Sequence, residues 1–190
     1  IMKNQNMRIK TIYIGEIYLN FGKTQALILL IGVNNMVFLF LVQHAEAKPK
    51  EEDPERRITE KGRKETEKVA KFFKEHIGIG VSKIIHSTKT RARQTAEILA
   101  HYIKPKDVIE EEGLEPLADP LIWVNKLRDI RENVMIVGHL PHLSKLLSIL
   151  IVKDPEAEIV KFRYSSIVCL EQGEDEKWRI LWIIRPDIIP

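Results

Sequence analysis

A chain of 190 residues with 44% hydrophobic and 30% charged side chains is long enough to bury one full core, as a single globular domain or a domain with an appendage. Its net charge of +3 vanishes on division: Lys3, Arg8, Lys10 and Lys23 against Glu16 carry the whole excess within residues 1–35, and 36–190 is neutral overall, so charge excludes any case for nucleic-acid binding. The single cysteine, Cys169, excludes an internal disulfide and a cysteine-rich metal site; its apolar neighbours indicate a buried strand and fit a reducing, cytoplasmic compartment.

Residues 1–35 show no amphipathic period. The apolar octet Ala26–Val33 joins the next apolar run through Asn34 and Asn35, giving 17 residues up to Val42. A membrane-spanning helix needs about 20 residues, and an anchor here would consume a strand the domain requires, so no membrane association is expected. Residues 1–35 are expected to be an extension, non-native or disordered, outside a domain spanning 36–190 that starts at Met36.

Met36–Val42 is a continuous apolar run ending in Gln43, His44, Ala45 and Glu46. Such a run reads as a strand buried on both faces of a parallel sheet, and ligands of open α/β sheets bind at the carboxyl ends of strands. His44 stands at that end as a candidate nucleophile. Lys48–Arg57, charged and holding two prolines, is a loop over the same end. A helix follows, with Thr59 as N-cap, Val69, Phe72, Phe73 and Ile77 on its buried side, and Gly78 and Gly80 as its stop. Gly62 in its first turn costs about 1 kcal/mol relative to alanine and implies a close backbone approach.

Val81–His86 is a second strand, and the helical spacing of Ala92, Thr95, Ala96, Leu99 and Ile103 puts Ser87 and Arg91 in the strand-to-helix turn and first helical turn, where free N–H groups favour phosphate. Arg91 and Arg93 cannot share a face, so one points to the site and the other to solvent. Lys104–Pro120 is a loop with one extended piece at Val108–Ile109. Leu121–Arg131 reads as a helix, Asn133–Val137 as a third buried strand ending in His139, and His142–Val152 as a helix. Val160–Glu171 and Lys177–Ile184 read as two closing strands. The order implies an α/β fold: a mostly parallel central sheet with helices on both faces.

Three strands thus end in groups suited to phosphate: His44, Ser87 with Arg91, and His139. The segments QHAEA (43–47), RRITEKG (56–62), STKTRARQT (87–95) and GHLP (138–141) resemble, in order and spacing, the motifs of the histidine phosphatase superfamily, and within it the SixA-type phosphohistidine phosphatases. The resemblance covers 36–190 and implies the phosphoglycerate mutase-like fold. It also implies hydrolysis through a phosphohistidine on His44, with Arg91 and His139 completing the catalytic group. Gln43, Arg56, Ser87 and Arg91 would bind phosphate. No cofactor or metal is implied; His139 and His142 form an HxxH that lacks further ligands. The expected partner is a phosphoprotein or a small phosphorylated substrate.

Two departures bear on activity. The family has arginine where this chain has Gln43, which brings no charge, so the alternative is a weakly active or non-catalytic phosphate- or phosphoprotein-binding module. The family's general acid falls near EEEGLEP, where Gly113 stands close to the usual position and Glu112 and Glu115 are the candidates. A phosphohistidine substrate, whose leaving group is imidazole, needs less help from an acid.

Overall fold

Strand β1, Val37–Gln43, is buried along its whole length. The computed structural model describes residues 36–190, so the expectation for residues 1–35 lies outside the described residues. In chain order β1 is followed by α1 (Glu60–Phe72), which runs on into a π-helical turn at Phe73–Ile77, then β2 (Lys83–His86), α2 (Thr90–Ile103), β3 (Asp107–Glu110), α3 (Pro120–Leu127), β4 (Val134–Gly138), α4 (His142–Val152), β5 (Ile167–Gln172) and β6 (Trp178–Ile184). The sheet order is β3-β2-β4-β1-β5-β6. The first four strands are mutually parallel, and β5 and β6 close the sheet antiparallel to β1 and to each other.

Alternation along β1 assigns its side chains to two cores. Phe38, Phe40 and Val42 pack with Val69, Ala70 and Phe73 of the first helix and Ala92, Ala96 and Leu99 of α2. Val37, Leu39 and Leu41 pack with Trp123 and Leu127 of α3 and Leu143, Leu146 and Leu147 of α4. A strand buried on both sides must be apolar at every position, which is why Met36–Val42 shows no polar period. The tryptophans pack into these cores: Trp123 and Trp178 are buried, and Trp182 lies against Phe40 and Phe73. Cys169 is buried on β5.

Local signals set the helix ends. Thr59 caps α1, its hydroxyl accepting from Gly62 N at 3.0 Å, a bond worth about 1 kcal/mol. Gly78 ends the π-helical turn at φ 64°, where glycine carries no Cβ penalty. Asp119 caps α3 with Pro120 in its first turn, and that helix stops at Leu127, short of the expected Arg131.

The largest departure from expectation is at 160–166. The expected strand from Val160 begins only at Ile167, and the preceding residues form a loop. Ser165 takes φ 60° and donates its backbone N–H to Gln43 O at 3.0 Å, so the chain crosses over the end of β1 before it can pair.

Register places the site. Gln43 pairs with Gly138, and His86 with Val137, so His44, Ser87 and His139 leave neighbouring parallel strands within one residue step of each other. Among the described residues no helix is long and apolar enough to cross a membrane.

Candidate active site

His44 is held at both ring nitrogens. Its Nδ1 lies 2.6 Å from the carbonyl oxygen of Ala45, which can only accept, so Nδ1 carries the proton. Nε2 therefore presents a lone pair, and it accepts from Arg91 Nε at 3.2 Å. Burial, followed by the charges of Arg91 and Arg56, lowers the His44 pKa to about 4 against the opposing pull of the Ala45 bond. At neutral pH the ring is an uncharged imidazole with its lone pair directed at a guanidinium.

The backbone beside His44 is fixed from α2. Thr95 Oγ1 accepts from Ala45 N at 2.9 Å and donates to Arg91 O at 2.7 Å, while Gln94 Oε1 accepts from Ile58 N at 2.9 Å. The QT pair of the RARQT segment thus holds the two chains that bring His44 and Arg56 together. Glu46 accepts from Thr59 Oγ1 at 3.0 Å and from Lys61 Nζ at 2.8 Å. Gly62 does permit a close approach: a Cβ there would lie 2.4 Å from Glu46 O.

Arg91 is buried at the site, and Arg93 faces outward near Glu97. Arg56 reaches in from the 48–57 loop at φ 52°, with its N–H on Asp53 O at 2.8 Å and its Nε on Lys48 O at 3.3 Å. Its charge helps depress the pKa of both His44 and Arg91, burial being the larger cause in each. Two guanidiniums and a neutral imidazole facing one another make a site that favours an anion.

His139 is buried and uncharged. Burial, then the charges of His44, Arg91, Lys89 and His142, lower its pKa to about 2. Its Nε2 is 2.9 Å from Ser87 Oγ, which leaves Nδ1 as the nitrogen without a partner among the described residues. Ser87, expected to touch phosphate, has both its N–H and its hydroxyl committed within the protein, to Val137 O and His139. Ser87 thus holds His139 in place.

Gln43 is buried at the end of β1, and its Oε1 has no hydrogen-bond partner among the described residues. Of the two acid candidates, Glu112 is exposed. Glu115 accepts from Thr88 Oγ1 at 3.0 Å and from Gly113 N at 2.9 Å. Desolvation pushes its carboxyl up, but these bonds and the charge of Lys89 outweigh it and hold the pKa below the usual range. Glu115 is thus a carboxylate at neutral pH. His142, beyond His139 in the HxxH, is buried with neither nitrogen bonded. Among the described residues no group of three or more His, Cys, Asp or Glu is placed to hold a metal.

One neighbour was missed from sequence. Tyr164 lies with its ring centroid 5.5 Å from that of His44, tilted by 40°. The loop at 160–166 puts it there, and reading that segment as a strand hid it. The Ser165-Ser166 pair just before the apolar run was the available signal of a turn.

Residues 39–117 match the model of the histidine phosphatase superfamily (branch 1). No curated protein sequence matches the chain. Among solved structures, the protein histidine phosphatase SixA complexed with tungstate superposes with a TM-score of 0.71 at 21% identity, covering 80% of this chain and 99% of that one. Phosphoglycerate mutase from Plasmodium falciparum (TM-score 0.61, 18% identity, 78% and 90% covered) and the alpha-ribazole phosphatase from Shigella flexneri (0.63, 13%, 76% and 95%) share the fold. Identities this low establish fold and leave substrate to the site. Residues 39–117 are thus similar to the histidine phosphatase superfamily, and the described residues share the fold of its solved structures.

Proposed function

We propose that the chain is a phosphatase that accepts a phosphoryl group on His44 Nε2 and passes it to water, with a protein phosphohistidine as its preferred donor. The match of residues 39–117 to the superfamily supports phosphatase chemistry in general. The observation that carries the residue assignment is the state of His44: proton on Nδ1, held by Ala45 O, and lone pair on Nε2 beside Arg91. Covalent catalysis by histidine needs that tautomer and no other.

Nε2 attacks phosphorus in line, the bond to the leaving atom breaks, and the Nδ1 proton stays where it is. Arg91 and Arg56 carry the charge of the transferring group, and His139 donates to it from the ring nitrogen that Ser87 leaves available. Water then attacks the phosphohistidine, releasing phosphate and the Nε2 lone pair. Glu115 enters this cycle as a carboxylate, with no proton ready for an alkoxide. That favours a leaving group that departs without strong acid help, and imidazole is one.

The test is hydrolysis of a phosphohistidine peptide and an aryl phosphate by the full chain, with and without tungstate, the tetrahedral oxyanion seen with the SixA neighbour. His44→Ala is expected to lower turnover by on the order of 10⁴ or more with the fold intact. A mutant as fast as the wild type would remove His44 from the mechanism. If both proteins are inactive yet bind tungstate, the second reading stands: a phosphate- or phosphoprotein-binding module, motivated by Gln43.

A further inference from the structure

The loop that crosses the end of β1 is pinned at one residue from two directions. Ser165 donates its N–H to Gln43 O at 3.0 Å, and its Oγ lies 2.8 Å from Thr66 Oγ1, which donates to Gly62 O at 2.7 Å. Both side chains are buried, and Ser165 is held at φ 60°, a conformation that β-pairing would not permit. The residue before it is thereby turned back toward the nucleophile.

Tyr164 occupies that position. Its ring lies 5.5 Å from the His44 ring at a 40° tilt, yet it remains 42% exposed. The other aromatic neighbour of His44, His139, lies 4.9 Å away and is buried. Tyr164 is also a neighbour of Arg91, whose Nε meets His44 Nε2. The other side chains described around the mouth of the site are polar: Arg56, Lys89 and Glu115. An exposed aromatic face in that setting offers one flat apolar surface.

In-line transfer sends the leaving group away from Nε2 and out toward this mouth. We propose that Tyr164 is the wall against which the leaving group packs, selecting donors whose leaving group is a flat ring, such as the imidazole of phosphohistidine or an aryl alcohol, over alkyl phosphates. This rests on the phosphoryl transfer proposed at His44 and names the class of substrate it would favour. Ring pairs prefer offset or edge contacts at centroid separations of about 4.5–7 Å, the range in which Tyr164 already meets His44.

The experiment compares kcat/KM for phenyl phosphate and for glycerol phosphate in the wild type, Tyr164→Phe and Tyr164→Leu. Taking the ratio within each protein removes the intrinsic difference between the two leaving groups. Tyr164→Leu is expected to lower the aromatic-to-alkyl ratio by about two- to tenfold, and Tyr164→Phe to leave it unchanged. An equal loss on both substrates, or a Phe variant as impaired as Leu, overturns the wall. If the wild type hydrolyses neither compound, the phosphatase proposal alone fails. The wall is then judged by calorimetric affinity for phenylphosphonate against methylphosphonate: a loss in the Leu variant confined to the phenyl compound supports it, and an equal loss overturns it.

Discussion

The two flanks of β1 treat polar groups differently. On the flank of α1 and α2, Thr66, Thr95, Arg91 and Ser165 are all buried and all hydrogen-bonded. On the flank of α3 and α4, Gln43 Oε1, both nitrogens of His142 and Ser148 Oγ are buried without partners among the described residues. His139 stands between the two, bonded through Nε2 and unpaired at Nδ1. A buried polar atom left unpaired costs about 1–3 kcal/mol, so the second flank carries a stability cost that the first does not. The difference separates two tasks: the first flank fixes the nucleophile's position, and the second supplies polar atoms not yet committed to the protein.

Acid should expose this difference most. His44, His139 and His142 have pKa values lowered to about 4, 2 and 4, with burial the leading cause in each. In the unfolded chain each titrates near 6.5, so unfolding takes up protons below that value. Their stabilising contribution is complete above pH 6.5 and is lost progressively as pH falls from there to the folded values. With three protons bound on unfolding near pH 5, stability should fall with a slope approaching about 4 kcal/mol per pH unit. Carboxylates held low, such as Glu46, push in the same direction only below about 4.5. Urea midpoints at pH 7.5, 6 and 5 measure the slope, and His142→Gln should remove about a third of it. Equal midpoints at pH 7.5 and 5 would break the assignment of three neutral buried imidazoles.

Gln43 tests the second flank through rate. Arginine has no acceptor atom, so Gln43→Arg removes the orphaned Oε1 and adds a donor and a charge at the mouth. Turnover should rise toward the about 10²–10³ that one preorganised donor contributes. The free protein should lose stability, because a third guanidinium joins Arg56 and Arg91. A fall in turnover with tungstate still bound would mean that the site is organised around the glutamine amide.

These particular residues also mark what was legible in the sequence. Strand ends were, because a run buried on both faces has an unmistakable composition and the next residue then lies at the sheet's edge. That reading put His44, Ser87 with Arg91, and His139 at one edge, the resemblance gave them their expected roles, and the register of β1, β4 and β2 brings them together. Helical geometry showed that only one of Arg91 and Arg93 could face the site, and the resemblance pointed to Arg91. Hydrogen-bond direction was not: nothing in the spacing says that Ser87 holds His139, or that Thr95 and Gln94 fix the chains beside His44 and Arg56. The 160–166 loop was illegible for a more specific reason. Its alternation of apolar and polar residues matches a strand, and only the long-range bond from Ser165 to Gln43 O makes it cross the sheet instead.

The smallest expected effect concerns the first flank and separates stability from positioning. Gly62→Ala should gain about 0.8–1 kcal/mol of helix propensity. Against this, the new Cβ would stand 2.4 Å from Glu46 O and 2.9 Å from Glu46 N, both backbone atoms that no rotamer change can move aside. Overpacking of this kind costs about 1–3 kcal/mol, so the balance falls on the side of a net loss near 1 kcal/mol. The displaced strand end is also the one that carries His44, two residues upstream, through the Ala45 carbonyl that holds Nδ1. Turnover should therefore fall by more than the fraction of protein unfolded. Gly78→Ala is the matched control: at φ 64° with nothing within 4 Å of its Cβ, it pays about 1–2 kcal/mol of backbone strain far from the site. Both variants should melt earlier than the wild type, but only Gly62→Ala should lose activity while still folded. If the two lose activity alike, the close packing of α1 against Glu46 serves stability alone, and the first flank does not set the position of the nucleophile.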